Sequence, residues 1–164
     1  MPRGKEHHYR ATVTWTGAAQ GGTESYHSYN REYRVEFEGK PAIVASSDPA
    51  FGGDPKLHNP EDMLVVALSS CHMLSYLALA SLEGLVVVGY EDEASGTMLQ
   101  EGRGGRFTEV MLRPRVVLAP GTDLARAEAL HEDAHKTCFI ANSVNFPVRH
   151  EAVVTCQPDP ASVP

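Results

Sequence analysis

Residues 59–62 read Asn59-Pro60-Glu61-Asp62, and from Met63 to Leu82 the chain then runs without a single Asp, Glu, Lys or Arg before Glu83-Gly84 closes the segment. Asparagine is a favoured N-cap, proline suits the first helical position, and two acids in the first turn complement the helix dipole. Gly84 is a typical helix stop. The stretch therefore predicts one helix over 60–83. It is long enough to cross a bilayer, but it carries Ser69, Ser70, His72, Ser75 and Tyr76. Amphipathic strand patterns also lie on both sides of it. A helix buried in a soluble core is the better reading, with no membrane partner. Because it is apolar on most sides, it calls for a core or an interface.

Outward from this helix the pattern is strand-like. Tyr9, Ala11, Val13 and Trp15 alternate with polar residues, as do Tyr33, Val35 and Phe37, which is the period of a half-buried strand. Gly39-Lys40 makes a turn and Pro41 to Ser46 returns, so the first 46 residues read as a small meander. Ser47 to His58 holds Asp48-Pro49, Gly52-Gly53 and Asp54-Pro55, all loop chemistry. After the helix, Leu85–Tyr90 and Arg106–Leu118 read as strands, the first extending through Glu91–Gln100. A second helix follows, capped by Thr122 and reaching Cys138 near its end, and Val148–Cys156 reads as a last strand. Strands, buried helix, strands, helix and strand indicate an α+β fold with antiparallel sheets. One domain over 1–156 and a loose tail over 157–164 fit a chain of 164 residues.

The composition narrows the function. The net charge is −7, and no Lys/Arg block offsets it, which argues against nucleic-acid binding through phosphate neutralisation. No apolar leader follows the N-terminal Met-Pro-Arg-Gly-Lys, so a cytoplasmic protein is expected. The three cysteines, Cys71, Cys138 and Cys156, form no C-x-x-C. An odd count without a secretory signal suggests a reducing compartment, where paired thiols are more often catalytic or metal-bound than structural.

Cys71 and Cys138 fall on the two predicted helices. They read either as buried small hydrophobes or as a redox pair, one thiolate meeting an oxidant and the other resolving the product. Cys71 is too far along its helix to be ionised by the helix dipole, so a thiolate there needs an arginine from elsewhere. Glu61 lies ten residues earlier, on the same side of the helix and about 15 Å away. It can hold such an arginine without touching Cys71, or simply serve as a first-turn acid.

The segment Asn59-Pro60-Glu61-Asp62-Met63-Leu64, continuing through Ala67-Leu68-Ser69-Ser70-Cys71-His72-Met73, resembles the OsmC/Ohr family. The stretch Ala134-His135-Lys136-Thr137-Cys138-Phe139-Ile140-Ala141-Asn142-Ser143-Val144-Asn145-Phe146-Pro147-Val148 is similar to that family's second cysteine region. The resemblance runs from about His8 to Val154. It implies an OsmC-like fold, with antiparallel sheets around two long helices in an intertwined homodimer. It also implies a thiol peroxidase that reduces small organic hydroperoxides, with Cys71 peroxidatic, Cys138 resolving and Glu61 the acidic partner of a catalytic arginine. Arg31 best matches that arginine, within Tyr29-Asn30-Arg31-Glu32, with Arg34 and Arg10 in reserve. The reductant implied is a dithiol of the lipoyl type, and no bound cofactor is required.

Two rival readings stand beside it. His131, His135 and Cys138 share a helix face at i, i+4 and i+7 and could, with His72 and Cys71, hold zinc or another soft metal. A dimeric binding protein could instead use an apolar groove lined by Phe51, Tyr29, Phe139 and Phe146. Cys156 has no motif around it and reads as structural or idle.

Overall fold

The computed structural model describes residues 4–159; most of the expected tail, 160–164, lies outside them. The chain divides into two compact units that meet in sequence at Met63/Leu64. In the first, β1 (Thr12–Trp15), β2 (Tyr33–Glu36) and β3 (Ile43–Ala45) form an antiparallel sheet in that order. Val13 faces Val35, and Val35 faces Ile43. This is the expected meander, with Lys40 N–H donating to Phe37 O across the turn.

Helix α1 spans Pro60–Leu82. Its start is held reciprocally: Asn59 Oδ1 accepts from Asp62 N–H at 2.8 Å, and Asp62 Oδ2 accepts from Asn59 N–H at 3.3 Å. The acid at the third helical position thus closes a capping box. Leu68, His72, Tyr76 and Ala80 are its buried residues, a stripe at every fourth position that packs one side of α1 against the core. Away from this stripe, Val66, Leu74 and Leu82 are 63%, 62% and 84% exposed.

The second unit holds the body of α1, helix α2 (Leu124–Thr137) and six strands: β4 (Val87–Asp92), β5 (Ser95–Glu101), β6 (Gly104–Leu112), β7 (Pro114–Leu118), β8 (Val148–His150) and β9 (Val153–Cys156). They build two sheets, β4-β7-β9 and β5-β6-β8. β4 with β7 and β5 with β6 are antiparallel as expected, whereas β8 and β9 join β6 and β7 in parallel. The expected Arg106–Leu118 and Val148–Cys156 strands are each two strands in different sheets, as is the extension of β4 through Gln100. Proline at 114 cannot donate to a ladder. At this corner Asp92 accepts from Arg113 N–H at 2.6 Å, and the Arg113 guanidinium reaches Ser95 Oγ at 2.8 Å.

Two apolar clusters result. Tyr76, Ala80, Val116, Leu118, Leu130 and Val154 fill the space between both helices and the β4 sheet. Leu68, Val110, Leu112 and Val148 fill the space under the β5 sheet. His72 lies on α1 between Leu68 of one cluster and Tyr76 of the other.

Candidate functional site

Asp123, not Thr122, caps α2, its carboxylate accepting from Arg126 N–H at 3.0 Å. The helix buries Ala127, Leu130, His131 and Ala134 and ends with Cys138 as its C-cap. The chain then turns tightly through a 3-10 segment at Ala141–Ser143. That turn aims Ala141 N–H at Cys138 Sγ, 3.4 Å away.

Cys71 is half-buried, Cys138 is buried and Cys156 is exposed, all as free thiols. The Cys71 side chain is close enough to Cys138 to perturb its thiol, so the two side chains are neighbours despite 67 residues of sequence separation. Burial, reinforced by the Cys71 contact and only partly offset by the Ala141 N–H, pushes the Cys138 thiol up to about 11. Cys138 therefore keeps its proton at neutral pH and is the natural donor of the pair. Cys71 is the member that solvent can reach. Cys156 is remote from this arrangement, its thiol approaching Thr122 O at 3.8 Å.

The N-terminal unit holds the other expected residues. The Arg31 guanidinium donates to the carbonyls of Tyr26 at 2.6 Å and Tyr29 at 3.0 Å. It also lies over both rings, 4.7 and 4.2 Å from their centroids, positions in which a cation is attracted to the ring face. Gly52 closes the cradle. Its φ of +81° suits glycine, and a Cβ there would stand 3.0 Å from Arg31 Cζ. Among the described residues, no ion pair joins Arg31 to Glu61. Arg34 pairs with Glu36 at 3.1 Å on an open strand face, and Arg10 is exposed. Glu61 lies near Tyr33, whose phenol is raised by burial first and by the Glu61 charge second. The Tyr33 hydroxyl is buried without a partner among the described residues. In the sequence Tyr33 reads only as an apolar strand position, so its relation to Glu61 is new.

The histidines form a cluster rather than a ligand set. His72 Nε2 and His131 Nδ1 lie 3.0 Å apart and hydrogen-bond to each other, with ring planes inclined by 8°. His131 stacks on Tyr76 at 4.2 Å, and the Tyr76 hydroxyl donates to Ala127 O at 3.0 Å. His150 sits 5.4 Å from the His72 ring and reaches Glu132 at 3.3 Å. Burial and the neighbouring His150 bring His72 down to about 4; burial and His72 bring His131 down to about 3. Both imidazoles are neutral at pH 7. Among the described residues, no group of three or more His, Cys, Asp or Glu could hold a metal ion. The metal alternative thus loses its geometry, because His72 and His131 spend their facing nitrogens on each other.

These features can be set beside known proteins. A family model described as OsmC-like protein matches residues 53–152. An OsmC-like protein of unknown function from Vibrio cholerae is 35% identical, superposing with a TM-score of 0.79 over 90% of this chain and 100% of that one. The uncharacterized protein YmaD of Bacillus subtilis is 25% identical over 155 residues, 91% of this chain and 95% of its own. An organic hydroperoxide resistance protein from Elizabethkingia anophelis shares the fold at 19% identity, with a TM-score of 0.66 over 93% of this chain and 99% of that one. The motif flanking Cys71, the two-helix frame and these matches agree: the chain belongs to the OsmC-like protein family.

Proposed function

We propose that this chain is a two-cysteine thiol peroxidase that reduces organic hydroperoxides to alcohols. The observation that carries the reading is the adjoining thiol pair, one half-exposed and one buried and protonated. Membership of a family that includes proteins named for organic hydroperoxide resistance supports it. The Cys71 thiolate attacks the distal peroxide oxygen and the O–O bond breaks. The alkoxide takes a proton and leaves as alcohol, and Cys71 becomes a sulfenic acid. Cys138 sulfur then attacks Cys71 sulfur. The hydroxyl leaves with the Cys138 proton as water, and a disulfide forms. A dithiol of the lipoyl type returns both thiols and departs as its own disulfide.

Arg31 is the cation assigned to the Cys71 thiolate, and Glu61 orients it. A guanidinium suits this role because it is permanently charged and presents a fork of donors. In the resting arrangement its donors are held by Tyr26 and Tyr29. The working unit is a cytoplasmic homodimer. The support is the uncovered apolar side of α1, where Val66 and Leu74 stand open beside a shallow groove lined by Val65, Met73 and Tyr90. Faces of this kind mark association surfaces.

The test is peroxide consumption with a lipoyl dithiol. Cys71→Ser abolishes it. Cys138→Ser consumes about one equivalent per site and stalls, because the sulfenic acid forms and is not resolved. Cys156→Ser turns over as wild type. Full activity in Cys71→Ser would refute the reading.

A further inference from the structure

The two buried histidines have no place in the thiol chemistry, yet their environment is costly. His72 and His131 are 0% and 1% exposed. Beyond their mutual hydrogen bond, His72 Nδ1 and His131 Nε2 have no partner among the described residues. Whichever ring donates, one N–H and one lone pair remain unsatisfied, each costing about 1–3 kcal/mol in a core. Two apolar residues of similar volume would avoid that cost, so stability does not explain the pair.

Its position does. His72 follows Cys71 on α1, and His131 lies two turns before Cys138 on the buried face of α2. The His72–His131 bond is a direct cross-link between the helices that carry the two sulfurs, and Tyr76 packs against it from the next turn of α1. Unlike dispersion contacts, which tolerate sliding, a hydrogen bond of 3.0 Å between two flat rings fixes separation and rotation together. A disulfide demands Cβ atoms about 3.5–4.5 Å apart, a tolerance that a slipped helix exceeds. We infer that His72 and His131 are positioning residues that hold α1 against α2 so that Cys71 and Cys138 stay within bonding distance. The inference rests on the two-cysteine reading above and adds to it the residues that set the approach of the sulfurs.

The experiment needs no peroxide. Full-length protein is equilibrated with glutathione: the two thiols give two electrons and two protons to one glutathione disulfide, which leaves as two glutathione thiols. The equilibrium reports the effective concentration of Cys138 at Cys71. The deciding variant is the double His72→Met/His131→Met, which fills the space and leaves no orphaned nitrogen, so it keeps or raises the melting temperature. Its effective concentration is expected to fall at least about tenfold, since small misplacements weigh heavily on such proximity effects. Tyr76→Phe removes a different α1–α2 bond, from the Tyr76 hydroxyl to Ala127 O, and serves as control, with a change of less than about threefold. If the double variant does not fold, His72→Met alone decides by the same readout. A wild-type value in the folded variant overturns the positioning role, as does an equal loss in Tyr76→Phe. If wild-type protein forms no Cys71–Cys138 disulfide, the two-cysteine reading falls and the clamp with it, an outcome distinct from the first two.

Discussion

Acidification from pH 7.5 to 5 perturbs one group of residues selectively. His72 is buried and neutral, with a native value of about 4 against 6.5 in the unfolded chain. A histidine with a lowered native value binds its proton more readily when unfolded. Its contribution is therefore complete above pH 6.5 and is lost as the pH falls toward 4. At pH 5 a group with these two values has forfeited about 2 kcal/mol. His131, brought down further by burial and His72, shifts stability in the same direction. The surroundings modulate this: His150 and His135 press His72 down, while Asp92 and Glu132 pull it up. The carboxylates Glu83 and Asp133 are held below their ordinary values by hydrogen bonds from Arg126. Their contribution is lost only at lower pH, outside this window. With a urea slope of about 2 kcal/mol per molar, 2 kcal/mol displaces the midpoint by about 1 M. Urea titrations followed by far-UV circular dichroism at pH 7.5, 6 and 5 measure it. The double His72→Met/His131→Met variant should show most of this dependence removed. An unchanged wild-type midpoint at pH 5, or an equal shift in the double variant, would refute the assignment.

Arg31→Ala should abolish steady-state hydroperoxide turnover and Arg31→Lys should recover little, because a point charge cannot reproduce the guanidinium fork; full activity in Arg31→Ala, read in the peroxide assay, would move the role to Arg34 or Arg10. Sedimentation at micromolar concentration should give a homodimer burying more than about 2,000 Å². Leu74→Glu, placing a charge on the uncovered side of α1, should shift it to monomer; a wild-type monomer would refute the assembly. Asp92→Ala should lower the melting temperature by several degrees, since it removes the acceptor shared by Ser69 Oγ at 2.5 Å and Arg113 N–H at 2.6 Å. An unchanged melting temperature would mean that the sheet corner is held by the Arg113 side chain alone.

The sequence is most legible where a local rule has a local cause. Asn59, Pro60 and Asp62 announce the start of α1, and the box between Asn59 and Asp62 forms within four residues. The meander is readable for the same reason, since each strand pairs with its neighbour in the chain. Legibility fails at the sheet corners. Apolar alternation continues through Arg113 and past Glu151, so periodicity carries no mark of the sheet to which each half belongs. Only Pro114 hints at the break, and its meaning depends on Asp92, its partner across the β4–β7 ladder 22 residues earlier. The histidines show the same limit. His131, His135 and Cys138 are visibly on one face, but the partner that turns a possible ligand set into a hydrogen-bonded pair comes from α1. The closeness of Cys71 and Cys138 is legible only through family resemblance, because their sequence spacing is silent about it.

The corner at Glu151-Ala152 bears on how the second unit assembles. β8 and β9 are separated by only two residues, yet each completes a different sheet, pairing in parallel 38 positions downstream, Val110 with Val148 and Val116 with Val154. Neither pairing can form until α2 and the turn after Cys138 have been traversed, so both sheets wait on the same loop closure. The C-terminal hook therefore works as a single latch. The two halves of the core should become protected against amide exchange together and late, and a chain cut before Val148 would lose both edges at once.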